Sequence, residues 1–491
     1  MSVRKAILSG AVNLGAGQAV VQLCSFVRSV ILARLISPEN FGIAATFAMT
    51  FSLLEMISNL SAQSLLVQAP DGDDPRFQAT GHTLLVLRGI LNAATLLLLA
   101  WPLSLLFGVP QARWAFYWLA VIPLARGFVH LDPNRFQRDM RFTPQVAVDT
   151  MSSLLVTVLA WPLAAWFRDY AAMLWLLLVQ VVLSTIGSHI AAERRYTWAW
   201  DREYAGRFFS FGWPLLVNGL LMYGIFQGDR FLIASSRRVF PNSTYTLTDL
   251  GIYSVAFAVT MAPSQFFVNA SSSLFLPVLA RAQVAKEHFA RRYLACAHLL
   301  SFSALVIAIP FIVAGRWIVP LVYGPKYLAA APVVGWLGAM WGVRVFRAAP
   351  TLAAMSLGDT RNAMISNVVR TTALIGVIAV AAAGGSLASI GMCGCFGEVL
   401  ATAVCIGRLS VKHRLSPSLV SRPLAVCGIG MAFAAFARTG AVSIIAGIGI
   451  ALVLLCVCAA AMLFLSPELR HNVRTVLRPS EAATAAQEAA N

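Results

Sequence analysis

Charged side chains inside strongly apolar stretches are the residues of this sequence best suited to chemistry. A charge at the centre of a bilayer costs at least ~2.5 kcal/mol, so such groups usually face a protein interior or a wet cavity and mark a pathway. The arginines of this set are Arg28, Arg88, Arg126, Arg230, Arg344, Arg347 and Arg370. The acids are Glu55, Asp149, Asp229 and Glu398.

The arginines of this set outnumber the acids, so pairing within the set cannot neutralise it. A net-cationic cavity attracts an anion, and guanidinium forks suit the oxygens of a diphosphate. We therefore predict that the seven arginines bind substrate, and that Glu55, Asp149 and Asp229 are candidates for ion coupling or gating. Other roles remain open for four of these residues. Arg347 and Arg370 could serve helix packing, and Arg88 could extend to the membrane surface. Asp229 could form a structural ion pair.

The composition indicates which class of protein must position these charges. Of 491 residues 59% are hydrophobic and only 12% are charged, about half the charge of a soluble domain, which excludes a soluble enzyme. The net charge of +17 then favours topology signals and contacts with anionic membrane lipids over nucleic-acid binding. All eight cysteines lie in or beside apolar stretches, so neither a disulfide framework nor a metal site is expected.

Apolar stretches of spanning length predict an all-α polytopic membrane protein with about fourteen transmembrane helices. They cover residues 7–36, 41–67, 82–107, 114–131, 145–167, 170–192, 208–235, 249–280, 293–315, 328–350, 363–383, 386–407, 423–437 and 441–465. The loops between them are short, which disfavours a membrane glycosyltransferase, ligase or polymerase. We expect no enzyme activity and no cofactor, and a disordered cytoplasmic tail over 467–491.

The loop charges predict the orientation. If the N-terminus is cytoplasmic, twenty-two Lys and Arg residues outside the spans fall on the cytoplasmic side and eight on the other. Such a bias across short loops places both termini in the cytoplasm.

Paired motifs indicate an internal repeat. The stretch from Arg28 to Gly42 is similar to the stretch from Arg230 to Gly251, which carries an insertion of about seven residues. Downstream, Arg126-Gly-Phe corresponds to Arg344-Val-Phe. We predict two six-helix bundles, 1–200 and 201–415, in the same orientation. Two additional transmembrane helices would follow in 416–466.

Several motifs resemble those of the multidrug/oligosaccharidyl-lipid/polysaccharide exporter superfamily, and within it the bacterial polysaccharide transporter group. They are Leu32-Ala-Arg-Leu-Ile-Ser-Pro-Glu-Asn-Phe-Gly42, Phe136-Gln-Arg-Asp-Met-Arg-Phe142, Gly228-Asp-Arg230, Leu250-Gly-Ile-Tyr253 and Leu274-Phe-Leu-Pro-Val-Leu-Ala280. The resemblance covers roughly residues 1–410, and the polar insertion 237–248 departs from the family core.

This resemblance implies a V-shaped pair of bundles around a central cavity that opens alternately to each side of the bacterial inner membrane. It also implies an undecaprenyl-pyrophosphate oligosaccharide as substrate, flipped for exopolysaccharide, capsule or O-antigen synthesis. The partners would be this lipid-linked oligosaccharide, membrane lipids, and the polysaccharide polymerase and chain-length machinery, with no nucleic acid.

Three other functions remain open. A multidrug or small-organic-ion antiporter on the same fold would depend on cavity carboxylates rather than arginines. The second function is that of a membrane-embedded glycan polymerase or ligase. The third is that of a scaffold that transports nothing. Asp71-Gly-Asp73-Asp74 resembles the acidic pair of glycosyltransferases, but it stands in a short loop without a nucleotide-binding fold, so we interpret it as a solvated linker.

Overall fold

The structure is a computed structural model that describes residues 3–282, 286–438 and 443–465. These residues form α-helices, short 3₁₀ turns and loops, with no strand among them. The helices are α1 (Val3–Leu35), α2 (Pro38–Ser58), α3 (Ala62–Gln68), α4 (Pro75–Leu106), α5 (Arg113–Leu119), α6 (Val121–Gly127), α7 (Asp132–Arg135), α8 (Thr143–Phe167), α9 (Ala171–Ile190), α10 (Arg202–Val239), α11 (Leu247–Ala282), α12 (Lys286–Tyr323), α13 (Ala331–Ser356), α14 (Thr360–Thr371), α15 (Ala373–Ala382), α16 (Leu387–His413), α17 (Ser418–Ala437) and α18 (Ile444–Leu465). The tail 467–491, predicted to be disordered, lies outside the described residues.

The predicted all-α membrane fold is confirmed. In the described residues, thirteen helices are long and apolar enough to cross a membrane. A fourteenth span forms if Pro110–Gly127 and Asp132–Asp139, which are bent by 52° at the break between them, count as one. The predicted span 114–131 is therefore a bent one, because α5, α6 and α7 are separate short helices.

Short polar residues set the start of several long helices. Ser37 precedes Pro38 and accepts a hydrogen bond from the backbone N–H of Asn40 at 3.1 Å. Asp74 precedes Pro75 and accepts from Arg76 N–H at 2.7 Å. These side chains satisfy amides that have no partner inside the helix, and proline at the first helical position loses nothing there.

Packing groups the chain into two compact units. The first contains the residues up to Ala262 together with Val319–Ala330 and Leu374–Ile390. The second contains Pro263–Ile318, Ala331–Ala373 and the chain from Gly391 onward. Packing defines these units, whereas sequence similarity defines the bundles 1–200 and 201–415, so the bundle boundaries stay a prediction.

Within the first unit, α2 and α11 cross in direct backbone contact. A Cβ added at Gly42 would lie 1.9 Å from the carbonyl oxygen of Leu247, and one added at Gly251 would lie 1.9 Å from that of Pro38. Each of these carbonyls belongs to the residue four positions before the opposite glycine. Only glycine allows this approach, and the reciprocal geometry is what a repeat relating Gly42 to Gly251 would produce.

Two cations of the first unit cap the helix ends of α1 and α12 in a crossed pattern. The Arg34 side chain, at the end of α1, donates to the carbonyl oxygens of Val322, at 2.7 Å, and Leu321 at the end of α12. The Lys326 ammonium, just after α12, donates to the carbonyl oxygens of Arg34, at 3.0 Å, and Ile36. Both helix ends carry partial negative charge, which these cations offset.

Candidate functional site

A cavity of about 210 Å³ in the first unit contains two of the predicted arginines. It lies among α1, α2, α9, α10 and α11, and eleven of its seventeen lining residues are apolar. The lining residues are Gln22, Ser25, Phe26, Arg28, Ser29, Leu32, Ile36, Phe41, Ala44, Ala45, Ala48, Met173, Arg230, Ser254, Ala258, Met261 and Ala262. The cavity far exceeds the ~30 Å³ that one water takes in the liquid, so it has room for a ligand.

Arg28 projects from α1 and is held by an amide. Its Nη1 donates to the Gln180 Oε1 atom of α9 at 2.7 Å. The amide nitrogen of Gln180 donates in turn to the hydroxyls of Ser152 and Ser153, at 3.4 and 3.5 Å. A neutral amide fixes the guanidinium while leaving its charge uncompensated.

Arg230 reaches the same cavity from α10. Its Nη2 donates to the carbonyl oxygen of Phe226 at 2.6 Å, and its guanidinium carbon lies 4.3 Å from the centroid of the Phe257 ring. Its Nε is buried and has no hydrogen-bond partner among the described residues. No described carboxylate lies within 4 Å of the guanidinium of Arg28 or Arg230.

Arg88 and Arg126 share one acid elsewhere in the first unit. Arg88 Nη2 lies 2.5 Å, and Arg126 Nη1 3.4 Å, from Glu55 Oε1. Arg126 is 48% exposed and lies over the Phe51 ring, whereas Arg88 is 16% exposed and also donates to the Ser58 hydroxyl at 3.1 Å. Glu55 is thus an ion-pair partner of two predicted substrate arginines.

The other three arginines converge on one acid in the second unit. Arg344 on α13 and Arg370 on α14 each lie 3.0 Å from Glu398 Oε1, and Arg347 on α13 lies 3.0 Å from Oε2. The Glu398 side chain on α16 is 1% exposed and the arginine side chains 6–15%. One carboxylate therefore organises three buried cations from two other helices.

The two remaining acids have neutral partners. Asp149 is exposed on α8, and its Oδ2 accepts from the Gln145 amide at 2.9 Å. Asp229 is buried on α10, and its Oδ2 accepts from the Tyr253 hydroxyl at 2.5 Å. In the described part of the chain, Asp229 forms no ion pair with the guanidinium of Arg230 within 4 Å, so the structural role open to Asp229 is a hydrogen bond to α11.

Sequence reasoning did not select Glu398 as a site residue, although it counted Glu398 among the acids within the spans. Its importance depends on three arginines that lie 28 to 54 positions away in sequence. Asp132 was missed in the same way. It is fully buried and accepts from Arg135 Nε at 2.7 Å and from the backbone N–H groups of Glu193 and Arg194.

The acidic loop Asp71-Gly-Asp73-Asp74 is held by ion pairs and hydrogen bonds rather than simply solvated. Asp71 receives two hydrogen bonds from Arg207, at 2.5 and 2.7 Å, which hold the pKa of its carboxyl below the usual value. Asp74 caps α4 and accepts from the Tyr204 hydroxyl at 3.0 Å. The described residues include no group of three His, Cys, Asp or Glu side chains able to hold a metal.

Comparison with known proteins adds the family. Residues 31–332 match the model of a family described as polysaccharide biosynthesis protein. The chain belongs to this family. It is also 24% identical over 327 residues to the succinoglycan biosynthesis transport protein ExoT of Rhizobium meliloti (strain 1021), in an alignment covering 65% of this chain. The alignment covers 63% of ExoT, so the chain spans less than two thirds of that relative.

Two solved structures show the fold of this family member. The lipid II flippase MurJ, in an inward closed conformation, gives a TM-score of 0.64 at 11% identity and covers 91% of this chain and 98% of its own. An inward-facing multidrug resistance MATE transporter of the MOP superfamily gives a TM-score of 0.61 at 12% identity. That match covers 81% of this chain and 99% of the transporter. The chain is a multi-pass membrane protein with the fold of this transporter superfamily.

Proposed function

We propose that this protein is a flippase. It moves polyprenyl-pyrophosphate-linked oligosaccharide repeat units across the bacterial inner membrane by alternating access, for the synthesis of a surface polysaccharide. Both termini lie in the cytoplasm, as the distribution of loop charges indicates. The family and the transporter fold support the general class, and the cavity supports the substrate.

The observation that carries the proposal is the charge of the cavity in the first unit. Arg28 and Arg230 line it, and their guanidinium groups donate to an amide oxygen and a backbone carbonyl oxygen, with no described carboxylate within 4 Å. Placing a cation in an apolar wall without an acid is costly unless a ligand supplies the negative charge. A diphosphate has that charge and enough acceptor oxygens for both guanidinium groups.

The same charge balance disfavours the antiporter for organic cations. Such a protein would need an uncompensated carboxylate at its cavity, and none of the seventeen lining residues is acidic. The fold by itself does not decide between the two, because one scaffold hosts drug export and lipid flipping.

Complementation in a host that lacks the gene tests the proposal. The deletion strain should lose surface polysaccharide and accumulate lipid-linked repeat units on the cytoplasmic leaflet. Wild type should restore the polymer, whereas Arg28→Gln and Arg230→Gln should restore less than a tenth of it at equal expression. Arg237→Gln is the matched control, because Arg237 is exposed near the end of the same helix as Arg230.

A reconstituted assay removes the effect of any redundant flippase. Vesicles containing the purified protein should expose a fluorescent polyprenyl-diphosphate sugar to an outside quencher faster than empty vesicles do. Equal rates with and without protein, or full activity of both Gln variants, would refute the flippase with a cationic cavity. Cation export abolished by Glu55→Gln would favour the antiporter instead.

A further inference from the structure

The wall of the cavity combines two kinds of surface. One part of the wall is polar and the other is a series of alanines from α2 and α11. The polar side chains are Gln22, Ser25, Arg28, Ser29, Arg230 and Ser254. The alanines are Ala44, Ala45, Ala48, Ala258 and Ala262. The cavity is therefore amphipathic, with two guanidinium groups, an amide and three serine hydroxyls beside the methyl groups of the alanines.

An oligosaccharide does not fit the alanine part of this wall. Each sugar hydroxyl removed from water needs a hydrogen-bond partner, and leaving one unsatisfied weakens binding by on the order of tenfold. The alanines supply none. A bare diphosphate fits only part of the wall, because it would leave the alanines facing water.

We propose that this cavity binds the junction between the diphosphate and the first isoprene units of the lipid carrier, rather than the sugars. The inference rests on the proposed function and names the part of the substrate that the cavity recognises. The guanidinium groups of Arg28 and Arg230 bind phosphate oxygens, and the alkene carbons contact the alanines. The sugars are bound elsewhere.

Ser254 adds a hydroxyl to the two arginines of this junction site. Its residue is 4% exposed, it lines the cavity, and its Oγ has no hydrogen-bond partner among the described residues. Buried hydroxyls in native proteins nearly always have a partner, so an orphaned one in a residue that lines a cavity points to a ligand atom or an ordered water. Ser254 Oγ donates to a phosphate oxygen, and Arg230 Nε, which is also orphaned, donates to the same group.

The size of the apolar residues sets the specificity for an isoprene unit. The small alanine side chains leave a slot, a space that leucine side chains would fill. At the polar end of the cavity, Arg28 Nη1 donates to Gln180 Oε1 at 2.7 Å, which fixes the guanidinium. Burying each CH₂ group contributes about 0.8 kcal/mol, close to a fourfold change in affinity. The isoprene carbons next to the phosphates should therefore raise affinity by on the order of 100-fold.

Equilibrium binding to the full chain in lipid nanodiscs tests the inference, with geranyl diphosphate, inorganic pyrophosphate, geraniol and decanoate as probes. Geranyl diphosphate should bind about 100-fold more tightly than pyrophosphate. Geraniol, which lacks the charge, and decanoate, which lacks the diphosphate, should each bind at least tenfold more weakly than geranyl diphosphate. Ser254→Ala should weaken geranyl diphosphate binding several-fold.

The variant Ala258→Leu tests the alanine wall separately from the arginines that bind phosphate. It should weaken geranyl diphosphate binding at least tenfold and leave pyrophosphate binding unchanged, which also shows that the variant is folded. Ala270→Leu is the control, because Ala270 is half-buried on the same helix and does not line the cavity.

Each other outcome overturns a defined claim. Equal affinity for geranyl diphosphate and pyrophosphate, or an Ala258→Leu variant that binds both as wild type does, would refute the isoprene slot and leave the flippase standing. Decanoate binding as tightly as geranyl diphosphate would show a general pocket for amphipathic anions and refute the slot as well. If Arg28→Gln and Arg230→Gln bind both phosphate probes normally, the junction site is refuted, and the polymer assay decides separately on the flippase.

Discussion

The arginines of the cavity in the first unit and those of the cluster in the second unit have opposite surroundings. Arg28 and Arg230 contact an amide, a backbone carbonyl and an aromatic ring. Arg344, Arg347 and Arg370 all lie 3.0 Å from Glu398. The same residue type in the same kind of apolar helix is thus paired with a carboxylate in one unit and left without one in the other. We propose that the unpaired arginines provide charge for a ligand, whereas the paired ones hold helices together.

Substitutions in the Glu398 cluster and in the cavity should therefore have opposite phenotypes. Changing the cluster should alter the free energy of unfolding, because an acid removed there leaves buried cations unpaired. Changing the cavity should alter transport and leave stability nearly unchanged. Unfolding titrations in mixed micelles measure the first quantity, and the polymer assay measures the second.

Glu398→Gln should have the largest effect on stability. The side chain is 1% exposed, and its loss of charge leaves three guanidinium groups buried without their carboxylate, at a cost of about 3–5 kcal/mol. The unfolding midpoint should fall sharply, whereas Glu287→Gln, at an exposed glutamate of α12, should have little effect. Equal midpoints for the two variants would contradict a structural role for the cluster.

Glu55→Gln should have an intermediate effect. Arg88 would lose a partner at 2.5 Å, but Arg126 is 48% exposed and remains solvated. We expect a loss of about 1–3 kcal/mol, as for a partly buried charged group that loses its hydrogen-bond partner. The same unfolding titration compares this variant with Glu398→Gln. A larger loss of unfolding free energy for Glu55→Gln would contradict the expectation that the more deeply buried acid contributes more.

Asp71→Asn should lower stability less than Glu55→Gln does, and its effect should depend on pH. The Arg207 hydrogen bonds lower the pKa of Asp71 in the folded protein, so this ion pair stabilises the fold above the normal carboxyl pKa and stops doing so as the pH falls through the lowered pKa. The difference between wild type and variant should shrink on acidification and in high salt. A difference that grows at low pH would contradict this.

Arg28→Gln and Arg230→Gln should have the smallest effect on unfolding, within about 1 kcal/mol in either direction. Each variant loses one hydrogen bond, but it also removes a desolvated charge that no described acid pairs with. Their unfolding curves should overlay that of wild type while polymer production is lost. A large destabilisation would mean that these arginines are structural like those of the cluster.

Much of the fold was predictable because hydropathy acts locally. Every predicted span overlaps a helix or the bent set α5–α7, and helix starts such as Ser37-Pro38 follow from short-range capping. The correspondence of Gly42 and Gly251 was also visible in the sequence, and in the structure these two glycines meet at one helix crossing. The orientation, the bundle boundaries and the site residues stay predictions.

The pairing of the charges was not predictable from spacing alone. Arg344 and Glu398 are 54 positions apart, as are Gln78 and Asp132, and Arg28 meets Gln180 over 152 positions. No local pattern selects among such distant partners. Glu398 differs little in sequence context from Asp149, yet one is the centre of a buried cluster and the other is exposed and bonded to a neighbouring amide.

The sequence by itself determined that this chain crosses a membrane many times, that it is helical, and that its spans carry more arginine than acid. Those properties depend on composition and on patterns a few residues long, which bilayer thickness and helix geometry convert directly into structure. Only the tertiary structure decided which arginines are paired and which line a cavity. That choice depends on which helix faces pack together, and a carboxylate stabilises a buried cation only when packing brings the two within a few ångströms.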